Sequence, residues 1–493
     1  MMILAGLIGN HQPHLLSFED KLFQGMIIME PEASPILNQS PKFIAFPIIF
    51  SFCGISALTV YLVYTKNFIF GSEAGKWVYS YFDNPISIPR WIPIVVFILV
   101  GLTIFIGAKL IFSNEKATLL GCFLIAVLIQ ILIQQVYPIS MATIVQSDVD
   151  TTFYSQAMRY SPVEILSQFT NLASSLPYHA RANMPGKILL FQLFEFITNS
   201  PQIIGYLIIL LSTLGAPLLY GICMNLFHDR QTAFYAFILY MLIPCKLFFF
   251  PILNTVTPLF ILLCFYLFLV YIEKRKTLFL WLLGGALYIL ILFDPSPLVL
   301  GIIFIGILIL TVVKKKFSKK DFLRVLIIPT LAFFSTYLLF YLFFSFDLLK
   351  AFLTIFNDAE DFNLRTSRSY WIWLGENLKE FFYGAGLPVM MIFIYQTAQT
   401  FSELRTIKSI TRNWSIENVF NISLLITFST VLFLGINRGE ITRLWIYLAA
   451  FFQIPAAFFM AKFVKSNILF FFVASMLVAQ SLLTLNRVGF IIP

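Results

Sequence analysis

The chain has 493 residues, 59% of them hydrophobic and only 12% charged, with a mean hydropathy of +0.87. That is far more apolar surface than a soluble core can bury, so composition excludes a soluble enzyme or binding module and makes the bilayer the solvent. The net charge of +9 is accounted for below as a topology signal and does not imply nucleic acid.

Residues 1–42 lack the basic start, apolar stretch and small-residue cleavage site of a secretory signal, and Met1–Ile8 is too brief to span. Beyond them, apolar windows of roughly 20 residues, the length that crosses about 30 Å of hydrocarbon, recur along the chain. They lie near 43–64, 91–112, 117–138, 202–224, 232–248, 254–272, 278–293, 297–313, 324–346, 381–399, 418–436, 441–461 and 467–485. The expectation is an all-α polytopic transmembrane bundle of about thirteen helices. The windows 278–293 and 297–313 also read as a broken pair around Asp294-Pro295-Ser296-Pro297. Three regions follow: 1–116 with two additional helices, a core 117–464 with long loops 139–201 and 347–380, and a last helix within 465–493. The five cysteines (Cys53, Cys122, Cys223, Cys245, Cys264) sit in or beside apolar runs without paired spacing, which suggests packing and neither disulfides nor zinc.

Alternate loops differ in charge. The set containing 113–116, 225–231, 273–277, 314–324, 400–417, 462–466 and the N-terminus carries 18 Lys and Arg against ten acids, with a dense cluster at Lys314–Lys320. The other set, with both long loops, carries 14 against fourteen. The positive-inside rule therefore puts the first set in the cytoplasm and the long loops outside. Most of the distinctive polar residues lie in those outer loops, so the non-cytoplasmic face is expected to do the work.

After the third span comes Gln146-Ser147-Asp148-Val149-Asp150-Thr151-Thr152-Phe153-Tyr154. Two carboxylates two residues apart at the membrane surface can supply a general base, or a ligand pair for a divalent cation such as Mg or Mn. The alternative is a helix N-terminus capped by either acid. Farther along, an amphipathic stretch 164–175 breaks at Pro177-Tyr178-His179-Ala180-Arg181-Ala182-Asn183-Met184-Pro185-Gly186-Lys187, and a second, 188–197, leads into the next span. His179, Arg181 and Lys187 gather cationic donors suited to a phosphate at headgroup level, or else snorkel to lipid phosphates. The loop 347–380 adds Arg365, Arg368, Tyr370, Trp371 and Trp373, which can hold anions and stack sugar rings or form an ordinary aromatic belt. In Asn437-Arg438-Gly439-Glu440-Ile441-Thr442-Arg443-Leu444-Trp445, Glu440 and Arg443 stand i,i+3 at the start of a span, as a ligand-binding set or a structural pair. Asp294, with no second charge beside it, reads as a cap. No Walker loop, His-Glu-x-x-His, nucleophile elbow or dinucleotide fingerprint occurs, against an ATP-driven pump, a zinc protease or a redox enzyme.

In this order of features the chain resembles the GT-C superfamily of integral membrane glycosyltransferases: Asp148-Val149-Asp150 with Tyr154 and Ala157 opening a long outer loop, interfacial helices with a Pro-Gly-Lys turn, then many spans. The Asp-x-Asp form looks most like the mannosyltransferase branches, and Arg438-Gly439-Glu440 with Arg443-Leu444-Trp445 is similar to a motif of bacterial members. The likeness covers roughly 117–464, and the motif follows the third span where the family has it after the first. The resemblance implies transfer of a sugar from a polyprenyl-phosphate donor to a hydroxyl of a glycan, lipid or protein acceptor. It implies Asp150 as base with Asp148 as partner or runner-up, and phosphate or substrate contacts from Tyr154, His179, Arg181, Lys187, Arg365, Arg368, Tyr370, Glu440 and Arg443. Two rivals stay open: an O-antigen polymerase or ligase, whose arginine-rich outer loops fit 347–380, and a transporter or lipid flippase, which places charges near span midpoints.

Overall fold

Apolar runs separated by prolines, glycines and basic returns become helices with short turns, because a spanning chain must satisfy every backbone N–H and C=O internally. The computed structural model describes residues 41–83, 88–147, 152–406 and 414–491. Three spans come first: α1 (Pro41–Tyr64), α2 (Trp91–Leu110) and α3 (Glu115–Gln134). Between α1 and α2, β1 (Gly71–Ser72) pairs antiparallel with β2 (Trp77–Val78), and β3 (Ser80–Tyr81) follows. Five short helices line the end of the bundle after α3: α4 (Met141–Gln146), α5 (Phe153–Arg159), α6 (Pro162–Leu172), α7 (Tyr178–Arg181) and α8 (Gly186–Glu195). Next, α9 (Pro201–Thr213) with α10 (Gly215–Phe227), and α11 (Arg230–Met241) with α12 (Pro244–Phe248), make two spans, each interrupted once. The chain continues through α13 (Thr257–Lys274), α14 (Leu278–Phe293), α15 (Gly301–Val313) and α16 (Lys319–Phe344). It closes with α17 (Leu348–Arg365), α18 (Tyr370–Ala385), α19 (Leu387–Thr406), α20 (Ile416–Leu434), α21 (Ile441–Leu444), α22 (Ile446–Phe459), α23 (Asn467–Leu485) and β4 (Val488–Gly489), which pairs with β3.

This is an all-α, multi-pass transmembrane bundle. Among the described residues, 11 helices are long and apolar enough to cross a bilayer, and a bent pair makes a twelfth. The sequence suggested about thirteen, and the difference is α14, whose 16 residues rise about 24 Å against about 30 Å of hydrocarbon. The window 381–399 straddles the bent pair: α18 and α19 turn 107° at Gly386. The segment 347–380, read as a loop, is helical. Asp347 caps α17 by accepting from the Lys350 N–H at 3.0 Å, and α17 is amphipathic. In the first long segment, Ser161 and Glu164 form a capping box around Pro162 and start α6 where the helical spacing begins.

Burial grades the spans. The span of α11 and α12 is 94% buried and that of α22 83%, whereas α16 is 11% buried and forms the rim. Lys246, counted in a loop from sequence, sits fully buried in α12, its ammonium 4.1 Å from the Tyr240 ring centroid. Four cysteines are buried and Cys53 is half-buried, all as free thiols. A second apolar cluster joins α5, α6 and α8 to the ends of α14 and α16 and the start of α17, fixing both long segments at one end of the bundle.

Candidate functional site

The centre of that end is the turn 436–440, between α20 and α21. Gly439 has φ +96°, and a Cβ there would stand 2.9 Å from Arg368 and 3.0 Å from Trp373, so only glycine lets the backbone pass. Four side chains from α17, α18 and the turn between them hold it. Asn363 Nδ2 donates to the Ile436 carbonyl at 2.7 Å. Asn377 donates to the Asn437 carbonyl at 2.8 Å and accepts from the Gly439 N–H at 3.1 Å. Arg368 donates to the Arg438 carbonyl, and Arg438 returns a bond to the Arg368 carbonyl at 2.7 Å. Glu380 accepts from the Ile441 N–H at 3.1 Å with one oxygen and from the Gly71 N–H at 3.0 Å with the other. One buried carboxylate thus clamps the α21 N-terminus to the β1–β2 hairpin, which Lys379 and Trp373 also hold through the carbonyls of Gly71 and Gly75.

The clamp presents Glu440 and Arg443, which are ion-paired to each other. Arg368 Nη2 lies 3.9 Å from the second Glu440 oxygen, with its guanidinium 5.0–5.5 Å from the Phe362, Trp77 and Trp373 rings. A cavity of about 380 Å³ opens in front of them. Its polar lining includes His179, Asn183, Asn254, Asp294, Arg368, Arg438, Glu440 and Arg443, and its apolar lining includes Leu298, Phe356, Leu434 and Ile436, all four exposed. A second cavity, of about 280 Å³, lies beyond His179, Glu440 and Arg443, which line both.

The two long segments meet over this site. Arg181 and Arg365 both pair with Asp358 of α17, each at 3.3 Å, and Tyr178 stacks on Phe362 with centroids 5.0 Å apart. Of the residues singled out from sequence, His179, Arg368, Glu440 and Arg443 line the cavity; Arg181 and Arg365 stand beside it, engaged by Asp358. Lys187 is buried behind the wall, its ammonium 2.7 Å from the Asn183 Oδ1, and burial brings it down to about 8. Its work is to hold the turn between α7 and α8. Tyr154 packs edge-on against Phe191, and Tyr370 donates to the Phe433 carbonyl at 2.7 Å; neither lines either cavity. Asp148 and Asp150 lie outside the described residues. Asp294, read from sequence as a cap, accepts from the Ser296 N–H at 3.0 Å and from the Thr257 hydroxyl at 3.1 Å, and it reaches the cavity. Among the described residues no group of three or more His, Cys, Asp or Glu side chains gathers as a cation site. The cavity carboxylates Glu440 and Asp294 are engaged by Arg443, Thr257 and Ser296, and the Asp148–Asp150 pair named from sequence for a divalent cation lies outside the described residues.

His179 was grouped from sequence with cationic donors. Burial, and secondarily the Arg443 charge, pull it down to about 4, so it faces the cavity as a neutral imidazole at pH 7. Between pH 6.5 and about 4 the unfolded chain holds a proton on this residue that the folded chain lacks, so acidification through that window costs stability. The thermal midpoint in detergent is expected to fall more steeply over this range in the parent than in His179→Gln; parallel profiles would remove His179 as the cause.

Sequence reasoning missed Glu380, Asn377, Asn363 and Asn254. Glu380 and Asn377 stand i,i+3 in a helix that also carries Glu376 and Lys379, and that spacing of polar groups among aromatic residues was the available signal. Glu380→Gln keeps the shape but turns an amide donor against one of the two N–H groups. The expected cost is about 1–3 kcal/mol, seen as a lower thermal midpoint together with reduced activity. An unchanged midpoint would show that the clamp is dispensable. No family model and no curated protein matches this chain.

Proposed function

We propose that this protein is a membrane-embedded glycosyltransferase that takes a sugar from a polyprenyl-phosphate donor and passes it to an acceptor hydroxyl on the non-cytoplasmic face. The observation that carries the reading is the mixed lining of the first cavity: arginines and a neutral histidine stand there together with the exposed apolar side chains of Leu298, Phe356, Leu434 and Ile436. An amphiphile with an anionic headgroup matches such a lining.

In the proposed reaction the acceptor oxygen attacks the anomeric carbon and gives its proton to a carboxylate, Asp150 or its neighbour Asp148. The bond from that carbon to the phosphate oxygen breaks, and the electron pair leaves with polyprenyl phosphate. Arg443 and Arg368 offset the charge that grows on the departing phosphate, in a site where low dielectric strengthens the interaction. His179 donates a hydrogen bond without adding charge. Protein in nanodiscs with a radiolabelled panel of polyprenyl-phosphate hexoses and pentoses tests the reading. Release of polyprenyl phosphate coupled to sugar transfer is expected. Turnover only of a polyprenyl-pyrophosphate glycan would move the protein to the polymerase or ligase class, and turnover of neither would overturn the proposal.

The sidedness rests on the Lys and Arg asymmetry. Ser369→Cys is expected to react with a membrane-impermeant maleimide in intact cells, and Lys316→Cys only after permeabilisation. Both positions are exposed and the native cysteines are buried or half-buried, so background is low. The reverse pattern would invert the protein.

A further inference from the structure

The second cavity differs from the first in what builds it. Trp77, Tyr79 and Ser80 come from the segment between α1 and α2, and Gly489 and Phe490 from the C-terminal tail. Both lie outside the 117–464 stretch that resembles the superfamily. Ser80 pairs with Gly489 across β3 and β4, and Arg487 fastens the tail by donating to the Tyr64 and Phe82 carbonyls at 2.9 and 2.6 Å. Tyr79 is fixed at both ends: its hydroxyl lies 3.0 Å from that of Thr442, and its ring meets Trp77 edge-on at 4.4 Å and Phe490 at 5.0 Å. Gly71, at φ +81° and with no room for a Cβ against the Trp77 carbonyl at 2.4 Å, closes the hairpin that aims Trp77. The Glu380 clamp holds this hairpin and the α21 N-terminus in one register.

The chamber is therefore preorganised. Val78 and Ser80 in its lining are exposed, and among the described residues its lining includes no exposed leucine and no exposed phenylalanine, unlike that of the first cavity. Aromatic faces with a hydroxyl, an imidazole and an ion pair suit a hydroxyl-rich ring, not a lipid tail. Its shared wall of His179, Glu440 and Arg443 is also the headgroup wall of the first cavity, so occupants of the two chambers would meet there.

Resting on the glycosyltransferase reading, we propose that this second chamber is the acceptor subsite and takes the hydroxyl-bearing end of a glycan from the aqueous side. Acceptor selectivity then resides in residues 68–82 and 486–491, the parts of this chain outside the resemblance.

The test uses the full chain in nanodiscs with two probes: hexose and pentose disaccharides, followed by saturation-transfer NMR, and tritiated undecaprenyl phosphate, followed by filter binding. Ser80→Tyr fills the mouth from an exposed position, and Trp77→Ala removes the aromatic wall. Both are expected to weaken disaccharide binding about tenfold or more, and Ser80→Tyr, which does not touch Arg368, is expected to leave undecaprenyl phosphate binding unchanged. Leu434→Trp, on the exposed edge of the first cavity, is expected to do the converse. Disaccharide binding that ignores Ser80→Tyr and Trp77→Ala, or no saturable disaccharide binding at millimolar concentration, overturns the inference. Loss of both probes in Ser80→Tyr also overturns it, because the chambers would not be separable. Failure of undecaprenyl phosphate to bind the parent instead sinks the donor reading, and the two arms are read independently.

Discussion

Asp150→Asn is expected to lower sugar transfer by roughly 10²–10⁴, the usual contribution of a positioned general base, with expression and thermal midpoint unchanged. Asparagine keeps the size and hydrogen-bonding outline of the side chain but cannot accept the acceptor's proton. In the sequence Asp148 and Asp150 precede α5, and α5 packs against α7, which carries His179 into the cavity. The described carboxylates are poorer candidates. Glu440 is ion-paired with Arg443, and Asp294 accepts from Thr257 and Ser296. Single-turnover release of polyprenyl phosphate, with the two substitutions made separately, decides the roles. Transfer at the parental rate in Asp150→Asn with loss in Asp148→Asn would exchange them, and full activity in both would remove carboxylate base catalysis from this motif.

Spans were legible because a bilayer demands long apolar runs and tolerates few exceptions, so even α14, too short to cross, was visible as a run. The helices α17 and α18 were not. Their polar residues, Asn363, Asn377 and Glu380, face a protein interior and not lipid, and in one dimension such residues look like loop. The same cause hid the site's framework while its exposed chemistry was readable. Glu440 and Arg443 stood out by i,i+3 spacing, and His179 by its proline-bounded turn. What no spacing could supply was the partner across the fold: Gly71 is more than three hundred residues from Glu380, which accepts its N–H. Nor could sequence distinguish Arg368, inside the cavity, from Arg365, three residues earlier and outside it, because that choice depends on where α17 ends. The expectation of cationic donors at His179 failed for a similar reason, since its charge state depends on burial and on Arg443 from a distant segment.

Arg443→Lys is expected to raise the apparent donor KM about ten- to hundredfold, the worth of one or two charge-assisted hydrogen bonds, while changing the thermal midpoint little. Lysine keeps the positive charge and can still meet Glu440, but it loses the planar fork that grips two phosphate oxygens at once. The pair geometry sharpens the choice between a binding and a structural role. Glu440 holds φ +60°, a conformation that costs energy for a side chain with a Cβ; it is fixed from behind by the Glu380 and Asn377 bonds to its neighbours Ile441 and Gly439. The backbone is thus held by bonds other than the Glu440–Arg443 contact. A structural pair predicts the opposite pattern. Weakening it would strand a largely buried carboxylate, lower the midpoint and leave donor use intact, and the exchanged double variant Glu440→Arg/Arg443→Glu would recover stability. Thermal midpoints measured beside initial rates at saturating acceptor and varied donor separate the two. A destabilised Arg443→Lys protein with parental donor affinity would take Arg443 out of the proposed site and leave Arg368 as the arginine nearest the leaving phosphate.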